Sequence, residues 1–200
     1  MSMPVPGWVT IGAAGTIAAA GVGAAAAGLY RLVVSGALTL DLDIGRRRRA
    51  LGPFDIQIAA TPDVVFDVIA GPYLGRTPRA MADKLKVLQA GTDMVLAEHY
   101  TPIRGGLRAT TLETVRFTRP VRVEFRLVRG PVPLVIEAFT LEPAPGGTRL
   151  AYNGDLAADG WAAGRWWAEK VGSSWEQAVR ASFVGVKAEA ERRTTAIDPG

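Results

Sequence analysis

The 200-residue chain is 48% hydrophobic and 21% charged, which leaves room for one globular domain of about 150 residues and an appendage. It has no cysteine, which excludes disulfides, zinc fingers, iron–sulfur clusters and thiol nucleophiles. Its net charge of +4 suits an anionic membrane surface as readily as nucleic acid, so charge alone selects neither.

No side chain from Met1 to Tyr30 is charged, and Trp8 to Val34 is almost wholly Ala, Gly, Val, Ile and Leu. Roughly 23 helical residues reach about 35 Å, more than a hydrocarbon core of ~30 Å. Trp8 and Tyr30 bracket the run as interfacial aromatic residues do. Residues 1–34 therefore read as an N-terminal transmembrane anchor. A cleaved signal peptide needs a basic leader, and none precedes this run. Arg31, Arg46, Arg47, Arg48 and Arg49 lie on its C-terminal side. The positive-inside rule then predicts a single-pass protein of the cell membrane with its domain on the cytoplasmic side, these arginines facing anionic headgroups. Gly21, Gly23 and Ala26, with Asp41 beyond, imitate a dinucleotide fingerprint, but no parallel βαβ pattern continues it.

Residues 35–52 read as a juxtamembrane strand and an Arg-rich turn. Leu40, Leu42 and Ile44 alternate with Asp41 and Asp43 before the turn, and Phe54, Ile56 and Ile58 alternate with Asp55 and Gln57 after it. Thr61, Pro62 and Asp63 then open a short amphipathic helix that ends near Gly71 and Pro72. The segment Tyr73 to Asp83 reads as a loop with a fragment of helix.

Six further strands follow at about Lys84 to Gln89, Met94 to Thr101, Leu107 to Thr118, Arg122 to Arg129, Val132 to Leu141 and Thr148 to Leu156. The turns between them are too short for parallel returns, so the pattern is an antiparallel meander. From Trp161 to Arg193 apolar residues recur at three- and four-residue steps, giving a long amphipathic helix in which Gly172 marks a bend. Residues 194–200 read as a disordered tail.

The helix ATPDVVFDVIAGPY, the run of antiparallel strands, the hairpin FTLEPAPGGTRLAYNGDL and the final helix GRWWAEKVGSSWEQAVRASFVGVKAEAERR together resemble the START-like, or SRPBCC, superfamily. The nearest likeness is to polyketide cyclase/dehydrase and lipid-transport domains. The resemblance implies an α+β helix-grip fold over residues 53–193: a curved antiparallel sheet of about seven strands wrapped around the long C-terminal helix, preceded by one transmembrane helix. It also implies an apolar cavity between sheet and helix, used by relatives to hold lipids, sterols, quinones, polyketides or hormones. Some relatives only bind or carry, and others cyclise or dehydrate.

Strand alternation puts Glu113, Val115 and Phe117 on one face, with Thr111. Glu137 and Phe139 share a face of the next hairpin, and Tyr152 lies on the corresponding face of the last strand. With Phe66, Phe125, Trp167, Val171 and Trp175 these are the expected pocket residues. A carboxyl buried there would have a raised pKa and could act as an acid or base. His99, the single histidine, reads as a strand residue that packs. No metal site, cofactor motif or catalytic residue is assigned, and no basic face interleaved with aromatics points to nucleic acid. The expected function is a membrane-anchored, non-enzymatic binder or carrier of a hydrophobic small molecule such as a lipid, quinone or polyketide. The alternatives are a cyclase- or dehydratase-like enzyme and a membrane-tethered protein-interaction module.

Overall fold

A computed structural model of the protein describes residues 24–75, 83–103 and 106–197. A helix over residues 24–34, α1, leads into irregular chain. Strand β1 (Arg47–Ile58) follows, then α2 (Pro62–Ala70) with a single 3-10 turn, Gly71–Tyr73. Strands β2 (Leu85–Ala90), β3 (Met94–Pro102), β4 (Arg108–Thr118), β5 (Arg122–Arg129), β6 (Leu134–Ala144) and β7 (Gly147–Ala158) precede α3 (Trp161–Ile197). They form one antiparallel sheet in the order β1-β7-β6-β5-β4-β3-β2. Hairpin connections account for the meander from β2 to β7, and β1 closes onto β7 from the other edge.

Alternation sorts the strands into a solvent face and a core face. One cross-strand row on the core face runs Val115, Phe125, Glu137, and the next runs Phe117, Val123, Phe139, Tyr152, Phe54. Helix α3 has 37 residues, about 55 Å of helix. It lays Ala168, Val171, Trp175, Val179, Phe183, Val186 and Ala190 against this face, packing on β1, β7 and α2. Ala178 and Ser182, which the sequence period also assigns to the inner stripe, are exposed. Val65, Phe66, Ile69 and Ala70 of α2 enter the same core, and Arg119 between β4 and β5 ties that helix down through Asp63 and Asp67.

The helix-grip fold and the seven strands agree with expectation, and three local readings are corrected. Leu40, Leu42 and Ile44 form no strand. They are exposed, Asp43 and Gly45 adopt positive φ, and the backbone N–H groups of Leu42 and Asp43 donate to Asp159 Oδ2 at 2.7 and 2.9 Å. Three of the four consecutive arginines are not a turn but the start of β1, with Arg47, Arg48 and Arg49 paired to Ala158, Ala157 and Leu156, and Arg46 precedes the strand. Helix α3 continues beyond Arg193 to Ile197, with Thr194 and Thr195 donating to the carbonyls of Ala190 and Glu191, so 194–197 are not a disordered tail; 198–200 lie outside the described residues.

Most of the expected spanning segment, residues 1–23, also lies outside the described residues. No described helix is long and apolar enough to cross a membrane. At the end of that segment, Val33 and Val34 are buried.

Candidate functional site: two polar clusters on an aromatic core face

Glu137 sits in mid-β6 with its side chain turned into the core, 6% exposed. Its Oε2 accepts hydrogen bonds from Tyr152 Oη at 2.6 Å and from Trp175 Nε1 at 2.7 Å, so one oxygen joins β6, β7 and α3. Gly154 stands opposite Glu137 on β7, and any Cβ there would lie 2.7 Å from Glu137 Cβ and from the Ile136 carbonyl oxygen. The absent side chain is what lets the carboxyl occupy this position. Oε1 has no protein partner, and it is not sealed: among the described residues the one fully buried side-chain polar atom lacking a hydrogen bond is His99 Nδ1.

Burial pushes the Glu137 carboxyl up to about 8, the charge of Glu113 adds to the rise, and the two donors offset part of it. At neutral pH the group is therefore mainly the uncharged acid. With two donors already on Oε2, the proton belongs on Oε1, where it is a free donor. Tyr152 is held above its ordinary range, first by burial and then by Glu137, so it remains a donor.

The second cluster joins the turn after α2 to β3 and β4. Tyr73 Oη lies 2.8 Å from His99 Nε2, His99 Nδ1 is 3.3 Å from Glu113 Oε2, and Thr111 Oγ1 donates to Glu113 Oε1 at 2.5 Å. The Nδ1 approach is close enough for electrostatic attraction but out of line for a hydrogen bond. A Tyr73 hydroxyl donating to Nε2 places the imidazole proton on Nδ1, facing Glu113. Burial, reinforced by the charges of Glu113 and Glu137, pushes Tyr73 well above its ordinary range.

Rings fill the space between and beside the clusters. Phe54, Phe139 and Phe183 surround Tyr152, with Phe125 against Phe139 at 4.9 Å. The Tyr73 ring touches Phe117, Phe125 and His99, and Phe66 meets Phe117 at 6.4 Å. The middle of α3 therefore rests on packed aromatics, contrary to the expectation of hollow space there. A cleft of about 580 Å³ opens instead beside Tyr73, bounded by Pro72, Leu74, Gly75 and by Val87 and Ala90 of β2.

Glu113, Val115, Phe125, Glu137, Phe139, Tyr152 and Phe66 all lie in the core, and Phe117, Val171 and Trp175 are half-buried against it. Trp167 is set apart: its Nε1 donates to the Pro131 carbonyl at 2.8 Å and its ring meets Tyr30 of α1. The arginines divide. Arg46 is held by Asp159 and Asp41, and Arg49 lies across the bare backbone of Gly172 to reach Glu169 and Glu176 at 2.9 and 3.1 Å. Gly172 thus makes room for a guanidinium. Only Arg31, Arg47 and Arg48 of the five are exposed and without an ion pair among the described residues. Sequence reasoning missed Tyr73, which it placed in a loop, and read His99 as packing alone. The Gly71–Pro72 pair before Tyr73 was the available signal, since a proline opening a tight turn fixes where the next side chain points.

The sequence pattern of the family described as polyketide cyclase/dehydrase and lipid transport matches residues 54–191. The fold is similar to that of BexL, a di-domain aromatase/cyclase from the BE-7585A biosynthetic pathway, with TM-score 0.59 and 16% identity over 90% of this chain. The chain spans 58% of the length of that protein. It is also similar to the Zhui aromatase/cyclase from Streptomyces sp. R1128, with TM-score 0.60, 17% identity, and coverage of 74% of this chain and 96% of that one. A Thermus thermophilus protein, TTHA0849, shares the fold at TM-score 0.53 and 16% identity over 72% of this chain and 94% of its own. At such identities the likeness is one of fold. No curated protein matches the chain.

Proposed function

The chain belongs to the polyketide cyclase/dehydrase and lipid-transport family, and from that premise we propose that it binds or carries a hydrophobic small molecule whose polar end is held by Glu137. The observation that carries this reading is the buried carboxyl with one oxygen saturated by Tyr152 and Trp175 and the other unpartnered, in surroundings that raise its pKa to about 8. Such a group donates to a carbonyl or hydroxyl in an apolar setting without holding a charge there. The cleft beside Tyr73, whose ring meets Phe125, the cross-strand neighbour of Glu137, is bounded largely by apolar side chains. Native mass spectrometry of the chain purified from its source host tests the reading: a co-purifying lipid-, quinone- or polyketide-like species is expected. An empty protein that also takes up no fluorescent long-chain ketone or quinone probe would defeat it.

One observation favours a second reading, a cyclase- or dehydratase-like activity. Tyr73, His99 and Glu113 form a phenol–imidazole–carboxylate chain, and an imidazole so placed is suited to moving a proton to or from a bound carbonyl compound. Conversion of a poly-β-ketone analogue that His99→Gln abolishes, with probe binding intact, would select this reading over simple carriage.

We further propose that the N-terminal segment anchors the domain at the cell membrane as a single span, with the domain on the cytoplasmic side. The support is in the sequence: no charged side chain before Arg31, and basic residues only after the apolar run. Cysteine-accessibility mapping of an introduced residue on each side of the segment tests it. Labelling of the domain from outside intact cells would contradict the orientation.

A further inference from the structure

The N-terminal end of α3 turns aromatic side chains toward solvent. Trp161 and Trp166 are 60% and 63% exposed, whereas tryptophan in a folded domain is on average highly buried. Trp166 stands 6.1 Å from Trp167, and the Trp167 ring meets that of Tyr30 at the same distance. Leu29 and Leu32 flank Tyr30 on α1, 46% and 49% exposed. Two secondary elements far apart in sequence thus build one apolar band through Trp166, Trp167 and Tyr30, and Trp161 stands at the head of the same helix over Gly45.

What covers the band follows from its charge and from the chain that leaves it. Arg31 lies next to Tyr30, Arg165 next to Trp166, and the Lys170 ammonium sits 5.7 Å over the Trp166 ring. None of these three cations has an acidic partner among the described residues, while the carboxylates of Asp41, Asp43 and Glu169 are taken up by Arg46 and Arg49. The uncovered charge is positive. The 23 residues that precede α1 carry no charged side chain. Indole and phenol rings interspersed with unpaired cations are suited to the headgroup level of an anionic bilayer, where each basic group contributes attraction and each ring partitions favourably. A protein partner for so large an apolar band would leave the three cations to be matched by acids of its own.

We propose that this band is a docking surface for an anionic phospholipid bilayer, which holds the first turns of α3 in the interfacial layer. The inference shares with the anchor reading only the side of the domain from which the N-terminal segment leaves, and it fixes the orientation of the domain against the membrane, which a span alone does not. The full-length chain carrying Trp8→Phe, incorporated into vesicles of phosphatidylglycerol and phosphatidylcholine with brominated acyl chains, provides the test. Tryptophan emission is quenched, the quench falls sharply on combining Trp161→Phe with Trp166→Phe, which leaves only the half-buried Trp167 of the band, and it weakens in vesicles of phosphatidylcholine alone. These substitutions lie at exposed positions, and unchanged thermal melts confirm that the fold is kept. Quenching that is identical with and without Trp161 and Trp166, or cross-linking of two copies through the band in the presence of vesicles, would overturn the proposal. An alkaline carbonate wash of the same samples, applied after the quench is read, releases the chain if the anchor reading is wrong and leaves the docking result standing.

Discussion

Trp175 Nε1 and Glu137 Oε2 are 2.7 Å apart, and this bond fastens the middle of α3 to the middle of β6 through a half-buried indole and a buried carboxyl. Trp175→Phe retains most of the apolar surface but removes the donor. It is expected to cost about 1 kcal/mol of stability. It also raises the Glu137 pKa further, because that donor favours the ionised form. Denaturant unfolding and a carboxyl infrared titration read the two effects; unchanged stability together with an unchanged titration would show that the bond contributes nothing.

The protonation of Glu137 gives stability a defined pH dependence. Its folded pKa, about 8, lies above the ordinary value of 4.5, so the folded state binds the proton more tightly than the unfolded state. The contribution is full below 4.5 and is lost as pH rises through 8. Unfolding free energy should fall across that window with a slope approaching ~1.4 kcal/mol per pH unit attributable to this group. Glu137→Gln should flatten that part of the profile. Asp159 and Glu189, held down to about 2 chiefly by bonds from Arg46 and from Arg192, act with the opposite sign at lower pH and do not overlap it. A profile for Glu137→Gln as steep as that of the parent chain would refute the assignment.

Gly154 is the position at which the polar cluster is most easily broken from outside. A methyl there meets both the Glu137 side chain and the backbone carbonyl of Ile136 at 2.7 Å, and neither is a flexible chain end. Gly154→Ala should destabilise by about 1–3 kcal/mol, as overpacking of a tight interior does. Thermal melts decide it, and a neutral or stabilising effect would mean that β6 and β7 separate more easily than their register suggests.

The Tyr73–His99 pair should behave as a coupled unit. Tyr73→Phe leaves Nε2 without its donor, and a double-mutant cycle with His99→Gln should return a coupling of about 1 kcal/mol. Imidazole nitrogen shifts should show the Nδ1–H tautomer in the parent chain and lose that preference in Tyr73→Phe. A cycle that closes at zero would reduce the contact to coincidence.

Asp159 clasps the chain between α1 and β1 by accepting from Leu42, Asp43 and Arg46 with a side chain only 5% exposed. Asp159→Ala should speed amide hydrogen exchange at Leu42 and Asp43 while leaving exchange in β4 to β7 unchanged. Protection that persists in the variant would mean that other contacts hold this segment.

Much of this arrangement was legible because strands with one buried face obey a period of two. Glu113, Glu137 and Tyr152 were placed inward from spacing alone, since a slip of one residue would have turned Val115, Phe139 and Leu150 to water as well. The same rule misled at Leu40, Leu42 and Ile44, where alternation has no sheet to pack on and Asp41 and Asp43 are drawn instead toward Arg46. Periodicity places Trp175 on the inner stripe of α3 but cannot say which strand residue it meets, because the offset between a helix and a sheet is set by packing. Tyr73 lies in a three-residue turn, too short for any period to register. The arginine run looked like one feature and is two, since Arg47 and Arg48 have no ion pair among the described residues whereas Arg49 reaches Glu169 and Glu176, more than a hundred residues away in sequence.

The central claim, that an uncharged Glu137 holds the polar end of a hydrophobic ligand, is tested most directly by titrating a fluorescent long-chain quinone against the parent chain and Glu137→Gln over a pH range spanning its pKa. The parent affinity should fall as pH passes through about 8, where the donor is lost, while Glu137→Gln, which keeps an amide donor at every pH, should stay level. Superimposable profiles for the two chains, or no uptake by either, would contradict it.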